Sequence, residues 1–159
     1  MIMSNYSLRH LDLRDYCSLK EVYIEAICSQ GQLHYTADQI EAWSSLAFLP
    51  GLFDQSLREG KGWVSLCQDE VVAFAIRYPS HRLALLYCRG NYSRKGHATA
   101  LLSKVEEDAK NEGVKRLITE ASFLSQPLLI KLGWLIKSKE KILIRGISFY
   151  HFRMEKLLV

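Results

Sequence analysis

Between Leu83 and Glu120 the sequence runs through a strand, a tight basic turn, an amphipathic helix and a second strand, and no other segment constrains the fold as much. Leu83-Ala84-Leu85-Leu86-Tyr87-Cys88 is apolar throughout, the pattern of a central strand covered on both faces. After Gly90 and the turn Tyr92-Ser93-Arg94-Lys95-Gly96 comes a helix with Ala98, Leu101, Leu102, Val105 and Ala109 on one stripe. Lys104, Glu106, Glu107 and Lys110 occupy its other face. Gly113 ends the helix, and Val114 to Glu120 returns as a strand. A strand, a crossover helix and a strand of these lengths form a right-handed β-α-β unit with two parallel strands.

The flanking segments complete a sheet. Tyr6 to Leu11 reads as a short strand, and Asp12 caps a helix with Tyr16, Leu19, Tyr23, Ala26 and Ile27 on its apolar stripe. A second helix follows Tyr35, with Thr36 as N-cap, Gln39 closing a capping box, and Ile40 and Trp43 facing inward. Pro50-Gly51 breaks the chain before a short helical piece that ends near Gly60. Trp63 to Cys67 and Val71 to Ile76 make a hairpin around Gln68-Asp69-Glu70. A helix around Leu124 to Lys131 and two strands between Leu135 and Val159, hinged at Arg145-Gly146, close the chain. The expected fold is α/β, a central mixed antiparallel and parallel sheet flanked by helices, in a single domain over residues 1–159.

Composition agrees. At 159 residues, 48% hydrophobic and 24% charged, the chain is too short for two cores and too apolar for disorder. The net charge of +4 favours an anionic ligand, but the basic residues are dispersed and form no aromatic-basic ladder, so no nucleic-acid partner is expected. No run approaches a membrane helix, and Met1 to Tyr6 shows no basic cluster before an apolar stretch, so a cytoplasmic protein without a membrane partner is expected. Cys17, Cys28, Cys67 and Cys88 lack a Cys-x-x-Cys pairing and read as buried free thiols, with no metal site.

Chemistry concentrates at the start of the long helix. Helix starts usually gather acids, because unpaired amides and the macrodipole place partial positive charge there. Here the first acid is Glu106, and Arg94, Lys95 and His97 line the start instead. An anion, with phosphate the best fit, supplies the missing charge, and Gly96 and Ala98 let it reach the backbone. A solvated basic turn is the alternative reading. The turn has neither the Gly-Lys-Ser/Thr order of a Walker loop nor the three spaced glycines of a dinucleotide fold.

Leu86-Tyr87-Cys88, the run from Tyr92 to Leu102, Ala121-Ser122 and Leu132-Gly133-Trp134 together resemble the core of the GNAT superfamily of N-acetyltransferases. Tyr35 to Trp43 and Phe152 to Lys156 resemble a bacterial branch of it. Gly96 and Ala98 fill the last two defined positions of the family's [QR]-x-x-G-x-[GA] pattern; Ser93 departs from it, with Arg94 one residue on. The resemblance implies splayed parallel strands at 83–88 and 114–120 with acetyl-CoA between them. Tyr87, Cys88, Arg94, Lys95, Gly96, His97, Ala98, Thr99 and Ser122 would contact the coenzyme. Its pyrophosphate would sit on the amides of Lys95 to Thr99, and the amide near Cys88 would face the thioester oxygen.

The resemblance also implies a tyrosine acid on the helix after Ala121-Ser122, but that position is Leu129, so either the thiolate leaves without an acid or Tyr35 or Tyr87 substitutes. Glu120 is a candidate base through water, or a strand-end carboxylate paired with a lysine or arginine. His34, in the connection that caps the acceptor side, is a second candidate base. Tyr16, Tyr23, Tyr35 and Trp43 read first as core, Tyr35 and Trp43 also as acceptor-pocket wall. Cys88 reads as packing rather than an acyl carrier, and His151 as structural. The expected activity is direct acetyl transfer from acetyl-CoA to an amine by a monomer or homodimer. The alternative is a non-catalytic acyl-CoA sensor.

Overall fold

In the computed structural model, which describes residues 5–159, seven strands form two antiparallel sheets. The first four residues, on which the reading of the N-terminus partly rests, lie outside the described residues. One sheet has the order β1 (Tyr6–His10), β2 (Lys61–Cys67), β3 (Glu70–Arg77), β4 (Leu83–Cys88). The other sets β7 (Ile147–Leu157) between β5 (Arg116–Ala121) and β6 (Leu135–Ile144). The expected mixed sheet is therefore mixed at one place only. β4 and β5 run parallel and touch at the Arg82–Ile118 bridge, where the Ile118 amide donates to His81 O at 2.9 Å and Thr119 Oγ1 to Leu83 O at 2.7 Å. Beyond it no ladder joins them among the described residues, because β3 holds the far edge of β4, β7 that of β5, and each sheet follows its own twist. A divide opens toward Cys88 and Ala121.

Two cores flank this junction. Leu19, Val22, Tyr23 and Ile27 of α1 (Tyr16–Gln30), Trp43 of α2 (Ala37–Ser44), and Phe53 and Leu57 of α3 (Leu52–Glu59) cover Val64, Phe74, Ile76 and Leu85. On the other face, Leu101, Leu102, Val105 and Ala109 of α4 (His97–Asn111) and Leu129 of α5 (Gln126–Lys131) bury Ala73, Ala75, Leu83, Leu117 and Met154. Both cores thus reach β4.

Local sequence signals appear as bonds. Thr36 Oγ1 accepts from the Gln39 amide at 3.2 Å and Gln39 Oε1 from the Thr36 amide at 2.9 Å, the capping box that starts α2. Asp12 caps a 3-10 turn, Leu13–Asp15, and α1 begins only after it. Gln68 and Asp69 both take positive φ (51° and 68°), closing the β2–β3 hairpin without a glycine. The α1 stripe that buries Leu19 to Ile27 turns Cys17 and Cys28 to solvent. The expectation of four buried thiols is thus corrected: these two are exposed, Cys67 and Cys88 are half-buried at strand ends, and all four are unbridged. Among the described residues no helix is long and apolar enough to cross a membrane.

Candidate active site

At the end of β4 the chain makes a 3-10 turn, Gly90–Tyr92, closed by Ser93 Oγ donating to Gly90 O at 2.9 Å. Arg94 (φ 58°) and Gly96 (φ 92°) then both take the left-handed conformation, which aims the chain into α4. Gly96 is the N-cap; no side chain caps this helix and its first turn holds no acid. The first bond back to the turn is Ala100 N to Gly96 O at 3.1 Å, so the amides of His97, Ala98 and Thr99 end the helix unpartnered among the described residues. Arg94, Lys95 and Thr99 are exposed around it.

His97 does not join that charge. Its ring is 4% exposed, with Nδ1 at 2.7 Å from Ser65 Oγ and edge contacts to Tyr6 and Tyr92. Burial, helped by the Lys95 charge, pushes its pKa below the ordinary imidazole value, so the ring is neutral near pH 7. The reading of three cations around the helix start is corrected to two. Position 97 lies one turn ahead of Leu101 on the buried stripe, so His97 offers its amide alone.

Sequence reasoning missed the supports beneath this turn. Glu25 Oε2 accepts from the Gly90 amide at 2.9 Å, and Gln30 Nε2 donates to Cys88 O at 2.7 Å. A Cβ on Gly90 would stand 2.5 Å from Ser29 Oγ, so glycine lets the turn seat on α1. The available signal was a polar strip on α1, Glu25 and Ser29 one helical turn apart beside Gln30.

Along β4, amides point alternately to the two edges. The Arg89 amide bonds Val72 O at 2.9 Å on β3, so the Cys88 amide points the opposite way, into the divide, and has no partner among the described residues. Burial, aided by the Glu25 charge, raises the Cys88 thiol pKa to about 12, which leaves it protonated at neutral pH. Tyr87 is packing: its ring lies 4.7 Å from Tyr23 and 5.9 Å from Phe74, and burial raises its pKa.

Across the divide, β5 ends at Ala121. Ser122 Oγ accepts from the amides of Leu124 (3.1 Å) and Ser125 (3.3 Å), which starts the turn into α5. The Phe123 amide donates to Tyr35 Oη at 3.0 Å, joining the loop before α2 to this mouth. Tyr35 also packs against Trp43 (5.1 Å) and Phe149 (6.0 Å), and burial raises its pKa, so it stays a phenol. His34 is exposed and stacks on Phe123 at 6.0 Å. Both Glu120 oxygens are held by Arg82 Nε, at 2.9 and 3.2 Å. Leu129 is buried beneath α5 and presents no acid. The site thus combines unpartnered amides on one wall with a buried phenol and charged side chains on the other.

Known proteins share this architecture. A family model for the acetyltransferase (GNAT) domain matches residues 32–156. The uncharacterized N-acetyltransferase YafP of Escherichia coli (strain K12) is 26% identical over 152 residues, 96% of each chain. A GCN5-related N-acetyltransferase from Rhodopseudomonas palustris, 25% identical, superposes with a TM-score of 0.92 over 99% of both chains. The PaiA N-acetyltransferase of Thermoplasma acidophilum, in complex with coenzyme A, is 18% identical, with a TM-score of 0.76 over 98% of this chain and 99% of that one. With the match spanning most of the sequence, and the splayed strands and uncapped helix start lying within it, the chain belongs to the GNAT acetyltransferase family.

Proposed function

We propose that the protein transfers an acetyl group from acetyl-CoA to an amine by direct attack in a ternary complex. One observation carries this reading: the unpartnered amides of α4 and of Cys88 lie on the same wall of the same divide. The amides from Lys95 to Thr99 would take the pyrophosphate, with Arg94 and Lys95 adding charge from outside and Gly96 and Ala98 clearing the approach. Cys88 and Ser122 would border the pantetheine arm, whereas Tyr87, packed in the core with its amide on the β3 edge, would not. The Cys88 amide would face the carbonyl oxygen as it gains charge, a role worth about 10²-fold in rate for one donor.

Direct transfer fits the thiol of Cys88, which is protonated at neutral pH and so no acyl carrier. Tyr35 replaces the acid missing at Leu129. Its oxygen accepts from Phe123, which leaves its own proton free for the departing thiolate. Glu120 through water, or His34, would be the candidates to take the proton of the acceptor amine.

Calorimetry with acetyl-CoA tests the binding step; no heat at millimolar ligand would sink it. Thiol release over a panel of primary amines tests turnover. Leu129 at the acid position favours a second reading, a coenzyme sensor without chemistry, and binding without thiol release from any amine would support that one.

A further inference from the structure

We infer that His151, oriented by Glu140, is the base that takes the proton of the acceptor amine, an inference that rests on the acetyl-transfer reading above. Strand register places it. Paired residues in an antiparallel sheet share a face, and alternate residues along a strand do too. Phe149, His151 and Arg153 of β7 therefore share one face with Ile142 and Glu140 of β6 and Glu120 of β5. On that face His151 lies between Phe149, which packs against Tyr35 at 6.0 Å, and Arg153, which pairs with Glu120. Phe152 pairs with Ala121, the last residue of β5, so His151 is the first β7 residue beyond the end of β5. That is where the Ser122 turn forms the mouth of the divide.

His151 Nε2 lies 2.8 Å from Glu140 Oε1, and Arg153 Nε lies 3.4 Å from Glu140 Oε2. The carboxylate can only accept, so Nε2 carries the proton and Nδ1 is left as the basic atom. The ring is 17% exposed, and Nδ1, which makes no hydrogen bond, is not among the buried unpartnered polar atoms of the described residues. It is shielded yet reachable. A carboxylate behind an imidazole fixes its tautomer and stabilises the charged ring that proton transfer creates. The two other candidates lack that support: Glu120 has both oxygens on Arg82, and His34 is an exposed ring on Phe123 with no carboxylate bonded to it among the described residues. The charged and titratable groups that the register and contacts place near His151 are Glu140 on β6, Arg153 on β7 and the Glu120–Arg82 pair across β5 and β4, with Tyr35 beyond Phe149.

The acceptor ammonium gives one proton to Nδ1, which passes it to solvent. The free amine forms the C–N bond at the thioester carbonyl and the C–S bond breaks; Tyr35 protonates the departing sulfur and is reprotonated by the second nitrogen proton, leaving amide and free thiol.

The test is steady-state thiol release against pH, from the neutral to the alkaline range, with the best amine of a primary-amine panel and acetyl-CoA affinity measured alongside. His151→Gln is expected to lower kcat by about 100-fold or more near neutral pH and to remove the acid limb of the profile, with acetyl-CoA affinity unchanged. His151→Ala should regain activity on addition of free imidazole. Glu140→Gln should lower kcat by less than His151→Gln does, with acetyl-CoA affinity unchanged, because the ring loses the carboxylate that orients it. A rate within about twofold of the unmodified enzyme in His151→Gln overturns the inference, as does a loss that keeps the profile and ignores imidazole. An unmodified protein that binds acetyl-CoA but releases thiol with no amine overturns the transfer reading and this inference with it.

Discussion

The two walls of the divide are built differently. The wall of β4 and α4 offers backbone amides from one continuous stretch, and the far end of its helix is pinned: Trp63 Nε1 donates to Asp108 Oδ2 at 2.8 Å, and Glu112 pairs with the buried Arg77. The opposite wall offers side chains from distant parts of the chain. Tyr35 meets Phe123 across 88 residues, and Gln39 Nε2 meets Ser148 O across 109. Amides at a helix start keep their geometry whatever side chains surround them, so the donor wall suits a coenzyme that does not change. Side chains held by packing can be exchanged one at a time, so the chemistry of the opposite wall, the acceptor wall, depends on each residue in it.

Glu112→Ala strikes the donor wall at its anchor and should have the largest effect. Arg77 is 2% exposed, so removing its partner strands a buried charge, and a loss of about 3 kcal/mol is expected in denaturant melts. The hydrogen bond from Arg77 holds the Glu112 carboxyl below the ordinary carboxylate pKa. Its contribution is therefore present in full above the unfolded value and is lost as pH falls through the folded one. Stability that declines equally toward acid in Glu112→Gln and the unmodified protein would break the claim that this pair fixes the helix.

Gly96→Val tests the other end of α4. At φ 92° a β-branched residue costs about 1–3 kcal/mol, taken from the turn that presents the amides. Acetyl-CoA affinity should fall by roughly 5- to 150-fold at that cost, with acceptor selectivity unchanged. An altered ranking of amines would mean that the walls are not independent.

The same division decides what could be read in advance. The β-α-β unit, the Thr36–Gln39 capping box and the acid-free start of α4 are local patterns, and each appears as expected. The side of the helix start that His97 occupies was not legible, because a histidine beside Arg94 and Lys95 has the same sequence signature whether it faces solvent or Ser65. Nor were the bonds from Glu25 and Gln30 to the Gly90 turn, which span 65 and 58 residues and depend on how α1 crosses β4. Glu140 and His151 lie only 11 residues apart, yet their pairing needs the register of a hairpin whose turn, Arg145-Gly146, fixes the direction but not the partners.

Thr36→Ala is aimed at the acceptor wall. Losing the cap should cost about 1 kcal/mol and loosen the start of an eight-residue helix directly after Tyr35. The acceptor kcat/KM should fall while acetyl-CoA affinity holds, the mirror image of Gly96→Val. Calorimetry beside initial rates separates the two, and a matching loss of coenzyme binding would show that α2 serves both walls.

Arg94→Ala should have the smallest effect, and it bears most directly on the contrast. If the donor wall works through its backbone, the exposed cation beside it adds only screened attraction, worth under about 1 kcal/mol. That is at most about a fivefold loss of acetyl-CoA affinity, and the loss should shrink as salt is raised. Arg94 already holds a positive φ (58°) and alanine carries the same Cβ, so the backbone strain is common to both and the loss should vanish at high salt. Lys95→Ala should show the same salt-dependent loss. If either variant loses more affinity than Gly96→Val, side-chain charge and not the amide array holds the pyrophosphate, and the two walls are then built on the same principle.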